Sequence, residues 1–438
     1  MSTVLGMSLP EKWGASRLKH LTHLLNRGSA PTYVDDGRVR AISQAANQNG
    51  GFDWSRTRFH DFDGDVTKLK GYLKPEDVLI NSTGTGTLGR VGFFRGAPDG
   101  LPCMADSHVT VARTKSDELH ARFTYYWLGS RPFQDYMYAA LAVGATNQIE
   151  LNRESLGDAP VPTPPLEEQR RIADFLDAET ARMDKITSRR NKQLEAIAEL
   201  ELALIVDMLT GGLKEGKGKP TGWPWLPAIP AEWSVGPVYA YFSTELGKML
   251  NAERASGPDQ RPYLRNANVH WYTIETDDLA SMDFSPDEVS RYSVRQGDLL
   301  VCEGGAGVAE AAVWDGRLQE CYFQKSLHRV RRAGPVPVEW LMYWLRLAKA
   351  CGVFEAEGNI ATIPHLTGEQ LRQYRIPIPS DGDSLVKRIG EEIAGLTSVR
   401  TKLMQAQNLL AERRQALITA AVTGQIDVSA ASGREIDE

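Results

Sequence analysis

The sequence predicts an α+β protein built twice over. Two mixed α/β domains are separated by two long antiparallel coiled-coil helices, as an internal two-fold pseudo-repeat. Three observations carry this reading: short motifs recur in the same order, two long stretches hold a helical apolar seam, and a Pro-x-Pro element precedes each stretch.

The repeat comes first, because a missed repeat misreads the whole fold. Leu9-Pro10-Glu11-Lys12-Trp13 returns as Ile229-Pro230-Ala231-Glu232-Trp233, an offset of 220 residues. Glu76-Asp77-Val78-Leu79-Ile80 is echoed by Gly297-Asp298-Leu299-Leu300-Val301, and Gly84-x-Gly86 by Gly305-x-Gly307. Leu151-x-x-Glu154-x-Leu156 matches Leu366-x-x-Glu369-x-Leu371, Pro162-x-Pro164 matches Pro377-x-Pro379, and Leu209-Thr210-Gly211 matches Val422-Thr423-Gly424. Six echoes in one order make two copies of one unit.

Each copy opens with short β-like runs between turn residues, such as Asp77–Asn81 and Val109–Arg113. A Pro-x-Pro stop follows, since proline ends an extended segment and is tolerated just ahead of a helix. The helices are expected over Leu166–Leu209 and Ser384–Val422. Ile172, Leu176, Met183, Ile186, Leu194, Ile197, Leu200, Leu204 and Met208 form one seam; Leu385, Ile389, Ile393, Leu396, Leu403, Leu410 and Leu417 form the other. At about 1.5 Å per residue each helix spans roughly 60–70 Å, more than one compact core needs. Thr-Gly suits a helix C-cap. Paired antiparallel, the helices would hold the two globular units at opposite ends of a rod. Counted from Ile172 to Thr210, the first helix is four residues longer than the second from Ile389 to Thr423, the excess falling near Glu195–Leu204. The expected boundaries are 1–163, a helix at 164–212, a linker at 213–228, the second domain at 229–380, a helix at 381–428 and a tail at 429–438.

Composition bounds the rest. Of 438 residues, 42% are hydrophobic and 24% charged, as in a globular protein without a membrane span. The N-terminus lacks the basic and apolar blocks of a signal peptide, so a cytoplasmic location is expected. Cys103, Cys302, Cys321 and Cys351 are scattered, which argues against a zinc site or a disulfide framework. The net charge is −6, with no basic tail in any segment. Attraction to phosphates would have to come from local patches or a partner.

Taken together, these features resemble the specificity subunits of type I restriction–modification systems. The resemblance rests on Pro10/Trp13 and Pro230/Trp233, on the Pro-x-Pro exits, on Pro164-Pro165-Leu166-Glu167-Glu168-Gln169-Arg170-Arg171-Ile172-Ala173, and on Arg413–Ile418 running to Gly424. It covers residues 9–428. The second copy departs at its helix entry, reading Asp383-Ser384-Leu385-Val386-Lys387-Arg388. The family implies two target-recognition domains, each reading half of a bipartite DNA target, with the helices as spacer. It implies two modification subunits that methylate adenine with S-adenosylmethionine, and restriction subunits that use ATP and Mg. No cofactor, metal or catalytic residue is expected on this chain. The other reading is a stand-alone coiled-coil DNA-binding scaffold or regulator, which copurification with a methyltransferase would separate from the first.

Motifs that suggest catalysis fail on context. Gly84–Val91 (GTGTLGRV) fits a phosphate-cradling pattern, but the residues after it read as a strand, whereas a cradle needs a helix N-terminus. Gly211–Gly218 (GGLKEGKG) lacks the Ser/Thr of a P-loop. An Asp/Asn-Pro-Pro-aromatic tetrapeptide is absent.

Candidate DNA contacts are side chains that present paired donors and acceptors to base edges. In the first copy these are Arg40, Ser43, Gln44, Asn47 and Gln48, then Ser82, Thr83, Thr85 and Arg90, then Asn147 and Gln148. In the second they are Arg265, Asn266, Asn268 and His270, then Lys325, Arg329 and Arg331, then Asn359, Thr362 and His365. Arg329 and Arg331 are expected on phosphates. Gln169, Ile172, Leu176, Ile389, Ile393 and Leu417 are candidate contacts to partner subunits.

Overall fold

A computed structural model describes residues 2–48, 50–143, 149–213, 218–250, 255–356 and 365–428. These fall into two compact units. One joins the chain up to Arg190 with the segment from Gln405 onward; the other is Asn191–Met404.

In the first unit an antiparallel sheet runs in the order Val91–Phe93, Val78–Asn81, Val109–Thr114, Thr22–Arg27. Its second strand is a short apolar run, Val78-Leu79-Ile80, closed by Asn81, and all four residues are buried. A second sheet pairs Cys103–Ala105 in parallel with Val39–Ile42. The second unit repeats the plan. Ala311–Val313, Leu299–Cys302, Leu327–Arg332 and Phe242–Leu246 form the antiparallel sheet, and Gln260–Leu264 runs parallel to Tyr322–Phe323.

The repeat extends to single side chains. Arg113 donates from Nε and Nη2 to both oxygens of Asp77, each at 2.7 Å. Arg331 does the same to Asp298, at 2.6 and 2.8 Å. Each carboxylate also accepts the backbone N–H three residues earlier, from Lys74 and Arg295. Left-handed backbone recurs as well. Glu76 (φ 73) stands where the second copy has Gly297 (φ 86), and Ala309 (φ 64) where the first has Gly89 (φ 76). The second copy carries Ala309 in place of the third glycine of Gly84-x-Gly86-x-x-Gly89, yet the left-handed backbone conformation persists.

The central helix spans Leu166–Leu209 and the C-terminal helix Gly382–Val422. In the first unit, Ile172 and Leu176 meet Ile418, Ala421 and Val422 in a core with Phe123, Trp127 and Phe133. In the second, Ile205, Met208 and Leu209 meet Leu385, Ile389 and Ile393 around Trp340 and Trp344. Each buried Ile, Leu, Val, Met or Phe among them contributes roughly 1.5–3 kcal/mol. The two helices run antiparallel within each unit: Arg414 pairs with Asp184 and Arg190 donates to the Ala406 carbonyl in one, and Glu201 pairs with Arg400 in the other.

Each helix ends on a Pro-x-x-Trp element. A Cβ on Gly211 (φ 61) would meet Pro230 Cγ at 2.6 Å and Trp233 at 3.3 Å. A Cβ on Gly424 (φ 71) would meet Pro10 Cγ at 2.4 Å and Trp13 at 3.2 Å. Glycine is needed there for both its positive φ and its lack of a side chain.

Two expectations are corrected here. Leu200 lies outside the seam, 50% exposed, because the three–four spacing turns Glu201 inward instead. Gln169, Ile172, Leu176, Ile389 and Ile393 are buried within their own units, and Leu417 packs against the first core. Gln169 receives the His120 N–H at 2.8 Å and donates to the Glu118 and Pro164 carbonyls, so it anchors the helix to its own domain. None of these five presents a surface to another subunit.

Candidate nucleic-acid interface

Two polar turns meet in each unit. In the first, the turn after Val39–Ile42 (Ser43–Gln48) lies against the glycine turn that joins Val78–Asn81 to Val91–Phe93. A strand follows this glycine turn, so no helix N-terminus stands behind it to hold a phosphate. Gln44 Oε1 accepts from the hydroxyls of Thr83 (3.1 Å) and Thr87 (3.4 Å). Arg90 donates to Gln48 Oε1 at 2.6 Å and to the Gly86 carbonyl at 3.0 Å. Thr83 in turn bonds His108 Nδ1 at 2.8 Å. The result is a braced loop with Thr85 exposed at its tip.

Beneath it, Asn81 donates to the carbonyls of Gln44 (3.1 Å) and Asn47 (3.4 Å). The second unit places Cys302 at this position, with Sγ against the carbonyls of Asn266 and Val269 at 3.8 and 3.5 Å. The supporting architecture is conserved between the halves while the exposed chemistry is not. Arg90 and Thr83 brace the first glycine turn. Glu303 and Glu310 flank the second, facing His365 at 3.3 Å and His270 at 3.6 Å, and Lys349 reaches Glu310 at 3.1 Å. Lys349 also donates to the Ala306 carbonyl at 3.2 Å. Among the described residues, no group of three His, Cys, Asp or Glu is placed to hold a metal ion, and no helix is long and apolar enough to cross a membrane.

Residues 10–196 match the family described as the type I restriction modification DNA specificity domain. Over that stretch, the chain is similar to the type I specificity family. The putative MjaX specificity subunit of Methanocaldococcus jannaschii is 26% identical over 244 residues, 52% of each chain. The EcoKI specificity subunit of Escherichia coli is 25% identical over 301 residues, 67% of this chain and 61% of that one. The chain thus spans about half to three fifths of these two relatives. The EcoBI specificity subunit of Escherichia coli is 22% identical, covering 90% of this chain and 87% of that protein. A solved structure described as bearing on complex assembly and conformational transition of the type I R-M system shares the fold. Its TM-score is 0.66 at 16% identity, over 96% of this chain and all of that one.

The candidate contacts divide by burial. Thr85, Asn266, His270, Lys325 and His365 are exposed, and Ser43, Gln44, Gln48, Thr83, Arg90 and Arg265 are half-buried at the two turns. Arg265 reaches Asp278 at 3.0 Å. The remaining described candidates are corrected. Asn47 and Ser82 are wholly buried, Asn47 donating to Asn81 Oδ1 at 2.9 Å and Ser82 bonding Thr110 at 2.5 Å. Asn268 is buried and caps its own turn by accepting the Arg265 N–H. Arg40 is held by Asp99 (2.6 Å) and Thr57 (2.9 Å) over the Phe59 ring.

Arg329 donates to the Arg291 and Ser293 carbonyls, both at 2.7 Å, and burial pulls its pKa down to about 10. Arg331 is committed to Asp298. Both guanidiniums are engaged within their own unit rather than free for a phosphate, although the Arg331 side chain is 26% exposed. Asn147, Gln148, Asn359 and Thr362 lie outside the described residues.

The sequence missed Glu201. It is 2% exposed on the central helix and accepts from Tyr272 Oη (2.7 Å), Arg346 Nε (2.8 Å) and Arg400 Nη1 (3.3 Å). Tyr272 has positive φ (65) and lies two residues after His270. Burial, then the neighbouring carboxylate, raise its pKa. One signal was available: a glutamate on the three–four seam must be paired if it is to be buried.

Proposed function

We propose that this chain is the DNA-reading subunit of a type I restriction–modification enzyme, acting in the cytosol as part of host defence. Each unit reads one half of a bipartite, asymmetric target through its pair of polar turns. The chain itself performs no chemistry. It recruits two modification subunits, which methylate adenine with S-adenosylmethionine, and restriction subunits, which require ATP and Mg.

One observation carries this reading. The same two-turn scaffold occurs in both halves with different chemistry at its surface: arginine and threonines brace the first glycine turn, glutamates and histidines flank the second. Arginine favours guanine, and a carboxylate can accept from the cytosine amino group, so unlike turns select unlike half-sites. Two identical readers would instead favour a palindrome. The exposed set from which base contacts are drawn is Thr85, Asn266, His270, Lys325 and His365, with Gln44, Gln48 and Arg90 behind it.

The test is exchange of residues 9–160 for the first domain of another family member, followed by mapping of methylated adenine in cells that also carry the modification subunit. One half-site should change while the other persists. A change in both halves, or methylation by this chain without the modification subunit, overturns the proposal.

A further inference from the structure

We propose that two ion pairs of opposite polarity decide which helix end completes which unit. Each unit is finished by the incoming end of a helix, seated by its Thr-Gly on a Pro-x-x-Trp element. Gly211 sits on Pro230 and Trp233, and Gly424 sits on Pro10 and Trp13. Ten residues before each glycine lies one charged side chain: Glu201 before Gly211, Arg414 before Gly424. Each faces the outgoing helix of its unit at nearly the same place, twelve residues after Ile172 for Asp184 and eleven after Ile389 for Arg400. The geometry is the same and the charges are exchanged. The first unit pairs incoming Arg414 with outgoing Asp184; the second pairs incoming Glu201 with outgoing Arg400.

The two seats are alike, since both present proline and tryptophan to a helix-terminal glycine. The seat alone therefore does not tell one helix end from the other, and the charged pairs beside it do. If the ends were exchanged, Glu201 would face Asp184 in the first unit. Arg414 would face Arg400 in the second, beside Arg346, which now bonds Glu201 at 2.8 Å. Both wrong arrangements place like charges together, and the second does so in a nearly water-free site, because the Glu201 side chain it replaces is 3% exposed. The same clashes arise if the helix of one half pairs with the identical helix of a second copy. The helix surfaces thus fit the opposite half of this chain and reject a second copy of their own half, whatever the domains bind.

The experiment uses the whole protein, folded and then cut once at a protease site placed between Leu213 and Gly218. The two halves are denatured, refolded together and weighed by native mass spectrometry, which separates the unlike pair from each like pair. The unmodified protein should return the unlike pair, with like pairs roughly tenfold or more below their statistical share. In the double variant Asp184→Arg with Arg414→Asp, every pairing is satisfied: the unlike pair keeps both contacts, and like pairs gain Arg opposite Glu201 or Asp opposite Arg400. Like pairs should then approach the statistical one-quarter each. Three outcomes overturn the inference: like pairs already abundant in the unmodified protein, a swapped protein that still yields only the unlike pair, or a swapped protein that no longer forms any paired assembly.

Discussion

Replacing Arg331 by alanine separates a structural arginine from a phosphate contact. Its partner Asp298 is 3% exposed and is held by two guanidinium hydrogen bonds and the Arg295 N–H. Removing the guanidinium strands a buried carboxylate. Losing one partner of a buried pair costs about 3–5 kcal/mol. The Arg331 side chain is 26% exposed, so water can reach the vacated side, and the lower end, about 3 kcal/mol, is expected. For a unit of this size that lowers its melting temperature by roughly 6–12 °C. Calorimetry of the intact chain measures this directly. Arg331→Met combined with Asp298→Leu should recover most of the loss, because removing both partners leaves nothing charged and unpaired. DNA binding by the folded single variant should keep its salt dependence. The reasoning is refuted if Arg331→Ala costs less than about 0.5 kcal/mol and the slope of log K against log salt falls by about one, which marks a lost phosphate contact.

Arg113→Ala should destabilise the first unit by a similar amount, about 3 kcal/mol through stranded Asp77, leaving the second unit's transition in place by calorimetry. Glu76→Gly should stabilise by about 0.5–1 kcal/mol, since its φ of 73 is one that glycine adopts without strain; denaturant titration reads the shift. Thr85→Ala should leave the melting temperature unchanged while relaxing the first half-site by about 1–3 kcal/mol in competition binding, and uniform weakening across all sequences would contradict it. Burial lowers the pKa of His328 and of His120, so the unfolded chain binds protons first as pH falls. Stability should therefore fall on acidification below about 6.5, the ordinary histidine value, and His328→Asn should reduce that slope in urea titrations at pH 7 and pH 5.

The sequence by itself determined the repeat, both helices and their glycine ends, because these rest on patterns within a few residues or on direct comparison of the two halves. An apolar seam at three–four spacing, a Pro-x-Pro stop and a Thr-Gly cap each announce themselves locally. The glycine turn was legible for the same reason: strand, glycines and strand follow one another along the chain.

Tertiary structure alone decided which polar residues of the turns face outward. Asn47 and Gln48 are neighbours of similar chemistry, yet Asn47 is turned under to meet Asn81, 34 residues on, while Gln48 meets Arg90 at the surface. Arg329 and Arg331 read as a basic patch, but neighbouring strands and Asp298 enclose them. Glu201 and Arg414 look like ordinary helix-surface charges until partners far along the sequence, 199 residues away at Arg400 and 230 at Asp184, are brought beside them. Local pattern fixes which faces are apolar. A polar side chain's fate depends on long-range partners, and those exist only once the chain has closed on itself.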